Sequence, residues 1–191
     1  ETRATYVDLN TDAVRAVPLA SHYTTLGTLH LPDTILGADL LVSMPKLKTH
    51  HWAGVTLSLK NMFGIVPGAV YGWPKNVLHW QGIDASILEI NAALPVRRFD
   101  IVDGIVGMEG NGPIQGDARP TGVVVFGDDP VAVDATCARL MRIDPARVGY
   151  LAEAARFLGN AEIDRIEQRG DRIDAHAQDF RVLDQFRAMK L

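Results

Sequence analysis

The sequence predicts an α/β fold, a layered and mostly parallel sheet with helices on both faces. Three observations carry that reading. Strand-like runs recur at 40–42, 99–102 and 122–126, and the first, short, bounded and aliphatic, suits a buried strand. Helical apolar patterns at 83–94 and 131–141 lie between and after them, and strands alternating with helices imply a layered sheet. The 191 residues are 47% hydrophobic and 22% charged, enough to build a sizeable core in one domain spanning 1–191.

Residues 4–9 read as a short strand and 8–18 as an edge or connection. Gly37-Ala38-Asp39 is a turn before Leu40-Leu41-Val42, and Pro45 ends that strand. Between Val55 and Phe63 the apolar residues mix periods of two and of three to four, and a helix is the reading adopted. Gly64, Pro67, Gly68, Gly72 and Pro74 mark a loop next to Trp73 and Trp80. Ile87, Ile90, Asn91 and Leu94 form one helical stripe stopped by Pro95. Phe99-Asp100-Ile101-Val102 is a second strand and Gly122 to Phe126 a third. Asp129-Pro130 opens a buried helix at 131–141. Asp144-Pro145 opens another that runs to Leu158 and a Gly159 cap, and 163–168 reads as a late strand.

The net charge of −4 and pI near 5.8 argue against a nucleic-acid or anionic-membrane partner. Cys137 is the only cysteine, so an intramolecular disulfide and an iron–sulfur cluster drawn from this chain alone are both excluded. A reducing, cytoplasmic setting fits that count. No apolar run approaches the roughly 18–20 residues that span a bilayer, and Glu1 is followed by no signal-peptide pattern. A soluble protein is expected.

The first candidate site is Pro45-Lys46-Leu47-Lys48-Thr49-His50-His51, read as a loop beyond a strand's C-terminal end. In open α/β sheets that edge is where ligands bind. Lys46, Lys48 and Lys60 supply cations for an anionic small molecule, with Thr49 and Asn61 as donors. The second candidate runs from Asp103 to Gly116. Its five glycines at 104, 107, 110, 112 and 116 suit an anion-binding nest of amides, with Gly110 and Gly112 as ligand contacts. Asp103 and Glu109 are carboxylates that hold a divalent metal or act as acid and base. His79 completes a set with His50, so the metal-ligand candidates are Asp103, Glu109, His50 and His79, and the catalytic candidates His50, His79, Lys60 and Glu109. Asp134, inside an apolar helix, needs a cap, a lysine or the site as its partner. Cys137 reads as core. No P-loop, dinucleotide fingerprint or Gly-x-Ser-x-Gly elbow is present.

Pro-Lys-Leu-Lys-Thr-His at 45–50, Leu-Lys-Asn-Met-Phe-Gly at 59–64, His79, Val-Asp-Gly-Ile at 102–105, Met-Glu-Gly-Asn-Gly-Pro at 108–113 and Pro-Val-Ala-Val-Asp-Ala at 130–135 together resemble the prokaryotic domain of unknown function 362 (DUF362) family. The resemblance covers about 36–159. It implies an α/β domain often found beside ferredoxin-like iron–sulfur modules, and no settled reaction. Against that family the chain lacks a cysteine-rich module and reads as starting partway into the usual domain, without its N-terminal strand–helix portion.

Two functions fit these residues. One is a redox or isomerase-like enzyme that binds an anionic small molecule or a metal where the Lys/His segment faces the Asp/Glu/Gly segment. The other is a non-catalytic docking module for an iron–sulfur or other acidic partner protein. An enzyme should gather its histidines and carboxylates in one concave pocket. A docking module should present its lysines on an exposed face.

Overall fold

A computed structural model describes residues 3–191. In chain order these form β1 (Val14–Pro18), β2 (Thr28–Pro32), α1 (Asp33–Leu36), β3 (Leu41–Ser43), β4 (Lys46–His50), β5 (Gly54–Thr56), α2 (Ser58–Asn61), α3 (Gly68–Tyr71), α4 (Asn76–Trp80), α5 (Ile83–Ala92), β6 (Arg98–Glu109), β7 (Asp117–Gly127), α6 (Pro130–Leu140), α7 (Gly149–Ala154) and α8 (Ile173–His176). The class is α/β, as expected. The chain divides into two compact units, one of Glu1–Leu41 with Met62–Arg97, the other of Val42–Asn61 with Arg98–Leu191.

In the first unit β1 and β2 form an antiparallel hairpin with Val14 opposite Pro32. The strand expected at 4–9 is absent. Asp8 instead accepts from the backbone and side-chain N–H of Asn10, a turn that breaks extended pairing there. Helix α5 lies where expected, and its buried Glu89 accepts from Ser21 Oγ, Thr24 N and Thr24 Oγ1, which satisfies the carboxylate.

The second unit is built on a five-stranded sheet in the order β3-β6-β4-β5, with β7 also on β6. Strands β3 and β4 follow one another along the same side of β6. Asp103 N donates to Pro45 O, Lys46 lies opposite Asp103 and Lys48 opposite Met108. Both sequences ascend together, so this ladder is parallel. β5 and β7 add antiparallel ladders.

Two expected loops are strands. β3 ends at Ser43, just before Pro45 as expected, but Lys46–His50 form a new strand, and burial alternates strictly from Val42 to Thr49 across the break. The glycine-rich segment likewise continues β6 as far as Glu109, and only 110–116 turns the chain into β7. Gly104 and Gly107 are required by packing: a Cβ at Gly107 would sit 2.8 Å from Leu47 O, and one at Gly104 2.9 Å from Val123 Cγ2. The expected helix at 55–63 divides into β5, α2 and a 3-10 turn from Met62 to Ile65, which accounts for its mixed periodicity.

Helix α6 starts as expected. Asp129 Oδ1 accepts from Val131 N at 2.8 Å and Ala132 N at 3.0 Å, and Oδ2 accepts from Asn160 N at 2.9 Å. Gly159 is a close-approach residue here rather than a helix cap, because a Cβ would lie 2.1 Å from Asp129 Oδ1. Replacing Asp129 with Ala should destabilise the fold by about 1–2 kcal/mol. For a chain of this size that is a fall of roughly 2–8 °C in Tm, readable by thermal scanning. The helix expected from Pro145 to Leu158 is a 3-10 turn, Pro145–Arg147, followed by the shorter α7, and 163–168 holds a 3-10 turn at Ile163–Arg165 in place of a strand.

Candidate functional site

The period of two along the sheet sorts the candidate residues. Along β3, β4 and the Met44-Pro45 link between them, Val42, Met44 and Lys46 are exposed and Lys48 half-buried, while Ser43, Leu47 and Thr49 are buried. On β6 a bulge between Gly104 and Val106 shifts the register, so Asp103 shares the open face whereas Glu109 turns inward.

The open face holds the cations. Lys46 Nζ lies 2.8 Å from Asp103 Oδ2 and also reaches Val106 O at 3.4 Å. That lysine, with the Ile105 N–H, holds the Asp103 carboxyl below its usual range. Lys48 Nζ has one long contact, 3.5 Å to Pro113 O, and no carboxylate partner among the described residues. Partial burial lowers its pKa, and the charge of Lys46 lowers it further. Around the two lysines Val42, Met44, Ile105 and Val106 are 46%, 70%, 58% and 44% exposed.

The buried face holds the other groups. Asn61 Nδ2 donates to Ser43 Oγ at 2.9 Å, and Ser58 N and Leu59 N donate to Asp134 of α6 at 2.7 and 3.0 Å. Asp134 thus caps the start of α2 from another element. Helix α2, which carries Lys60 and Asn61, therefore packs on the side of the sheet opposite Lys46 and Lys48. Lys46, Lys48, His50, Lys60 and Asn61, expected to converge on one cleft, do not all do so, because Lys46 and Lys48 share a parity that Ser43, the partner of Asn61, does not.

Glu109, buried, is clamped by Arg181, whose N and Nε donate at 3.1 and 2.9 Å, with Arg119 at 3.8 Å. Burial alone would raise its pKa, but the Arg181 bonds and both arginine charges outweigh that, and the carboxyl ends below its ordinary value. His50 Nδ1 accepts from Trp52 N and Ala53 N at 3.0 and 3.1 Å, so this nitrogen is unprotonated and committed to the turn.

The two candidate segments do meet at the end of β4. Thr49 Oγ1 donates to Gly110 O, and both His51 N and Nδ1 contact Gly112 O. The turn nevertheless presents carbonyls rather than amides. Gly110 N donates to Arg181 O and Gly112 N to Gly110 O, so the expected anion nest has already spent these two donors. Gly112 is there for space: a Cβ would fall 2.1 Å from Thr49 O.

His79 belongs to the first unit, where Nδ1 lies 3.0 Å from Lys75 O and the ring tilts against Phe63. Lys75, which sequence reasoning passed over, donates from Nζ to Phe63 O and Gly64 O at 2.6 and 3.1 Å, and burial lowers its pKa to about 8. Among the described residues no three His, Cys, Asp or Glu side chains are placed to hold a metal ion. The expected set of Asp103, Glu109, His50 and His79 therefore makes no ready metal site: Asp103 is paired with Lys46, Glu109 with arginines, and His50 Nδ1 with backbone.

The second unit is thus an α/β domain with a basic, partly apolar open face and a sealed buried face. The chain belongs to the family described as Domain of unknown function (DUF362), whose model matches residues 1–139. A thylakoid-associated protein of Synechocystis sp. is 34% identical to it over 134 residues, which cover 68% of this chain and 40% of that protein. The chain accordingly spans about 40% of that relative's length. No solved structure matches it. Among the described residues no helix is long and apolar enough to cross a membrane.

Proposed function

We propose that this domain is a non-catalytic docking module that receives an acidic partner protein on the open sheet face around Lys46 and Lys48. The single observation that carries this reading is Lys48: a half-buried ammonium, beside a second lysine, without a carboxylate partner among the described residues. An acidic group from outside would restore its charge balance. The exposed Val42, Met44, Ile105 and Val106 supply the apolar surround that a protein partner covers and a small ion would not. The commitments of His50 Nδ1 and Glu109 support docking over proton-transfer catalysis. The iron–sulfur proteins with which the family is linked are one source of such acidic surfaces. The thylakoid association of the relative is likewise compatible with a domain that works by attachment.

Hexaglutamate and inorganic phosphate are suitable probes. Hexaglutamate at one hundred times its Kd should stabilise the fold by about 2.7 kcal/mol, a rise in Tm of roughly 5–10 °C. A Lys46→Met, Lys48→Met double variant keeps the aliphatic stems and should lose most of that rise, while Arg97→Gln keeps it. Equal rises in the double variant and the parent would reject the reading. A rise with phosphate as large as with hexaglutamate would replace it with a small-anion site.

A further inference from the structure

β7 is an edge strand. It pairs with β6 along one side, and among the described residues no backbone hydrogen bond reaches its other side between Gly122 and Gly127. In an antiparallel ladder alternate residues turn N–H and C=O away from the partner, so this edge carries donors and acceptors spaced for one more strand. The open side borders a groove of about 810 Å³, lined also by Val133 and Leu140 of α6 and by the segment 165–173. Gly127 faces Val133 of α6, so Val123 and Val125 share that direction, yet both remain half-exposed. On the opposite face Val124 and Phe126 are 47% and 67% exposed. Both faces of the sheet thus stop short at the same line.

The groove's volume lies in the range that encloses a small ligand or a short peptide segment. Charge narrows the choice further. Asp128 and Arg165 both line the groove, and neither has an ion-pair partner among the described residues.

We propose that the β7 edge binds an extended peptide segment by strand addition, with apolar side chains beside Val124 and Phe126 and a carboxylate opposite Arg165. Backbone hydrogen bonds supply the attachment, and the alternating side chains select the sequence. This site is separate from the face around Lys46 and Lys48, and it stands whether or not that face docks a partner.

The test uses the peptide acetyl-Thr-Val-Glu-Val-Thr-Val-Lys-amide and the whole chain. Calorimetry should give binding, and hydrogen–deuterium exchange should slow at least tenfold at the backbone amides of β7 that point away from β6. The same peptide N-methylated at alternate residues should not bind, a control that leaves the protein untouched. Arg165→Glu should weaken binding about tenfold. Absence of binding, or equal binding by the N-methylated peptide, would overturn the proposal. So would outward amides already protected in the free chain together with a dimer by sedimentation, since a second copy would then own the edge.

Discussion

Replacing Arg98 with Met should destabilise the second unit by about 3–5 kcal/mol, the cost of leaving a buried charge without its partner. Asp100 is fully buried, and Arg98 Nη2 bridges its Oδ1 at 2.7 Å to Ser58 O at 3.2 Å. Met fills the volume of the stem but leaves the carboxylate in a medium that cannot solvate it. Urea denaturation reads the loss directly, and Tm should fall by roughly 6–20 °C. Removing both charges with Arg98→Met, Asp100→Leu should recover much of the stability, because the carboxylate no longer needs a partner. A loss below about 1 kcal/mol for Arg98→Met would mean that water enters the cluster and the bridge contributes little.

The second large effect is a pH dependence with an unusual sign. Asp134 is fully buried, and its pKa is raised from 3.8 to about 7. Burial is the main cause. The N–H groups of Leu59 and Ser58 oppose it, and the charge of Asp100 adds to it. The buried Cys137 lies in the field of Asp134 and Asp100, and Arg98 pairs with Asp100. Between about pH 4 and pH 7 the folded chain keeps a proton that the unfolded chain has released. Stability from this residue is therefore full below about pH 4 and falls as pH rises through that window. The slope is about 1.4 kcal/mol per pH unit, on the order of 4 kcal/mol in all. Glu109 and Asp103 act in the opposite sense at lower pH, because their pKa values are lowered. Comparing the parent with Asp134→Asn isolates the one residue: their stability difference should shrink steadily from pH 4 to pH 7. A difference constant across that range would show that Asp134 titrates normally.

Much of the framework was legible because its signals are local. The Asp129-Pro130 start of α6, the stripe of α5 and the aliphatic run within β7 each follow from residues close in sequence. The candidate site was legible in place but not in arrangement. Lys46-Leu47-Lys48 already alternates polar and apolar residues, the mark of a strand, yet its charges read as a loop. Treating it as a strand would have put both lysines on one face and Leu47 and Thr49 on the other. The glycines from 104 to 116 misled for a different reason. A glycine that supplies amides and one that makes room for a carbonyl look alike in sequence, and Gly112 is of the second kind. The Arg181 clamp on Glu109 lies 72 residues away, and no local pattern announces it.

The docking account is tested most directly by following the lysine side-chain signals in an isotope-labelled chain during titration with hexaglutamate. Lys46 and Lys48 should shift together along one binding curve, and that curve should weaken as salt rises. Lys60, on the buried side of the sheet, and Lys75, held by carbonyls in the first unit, should stay in place. Movement of Lys60 or Lys75 with Lys46 and Lys48 unchanged would contradict the account.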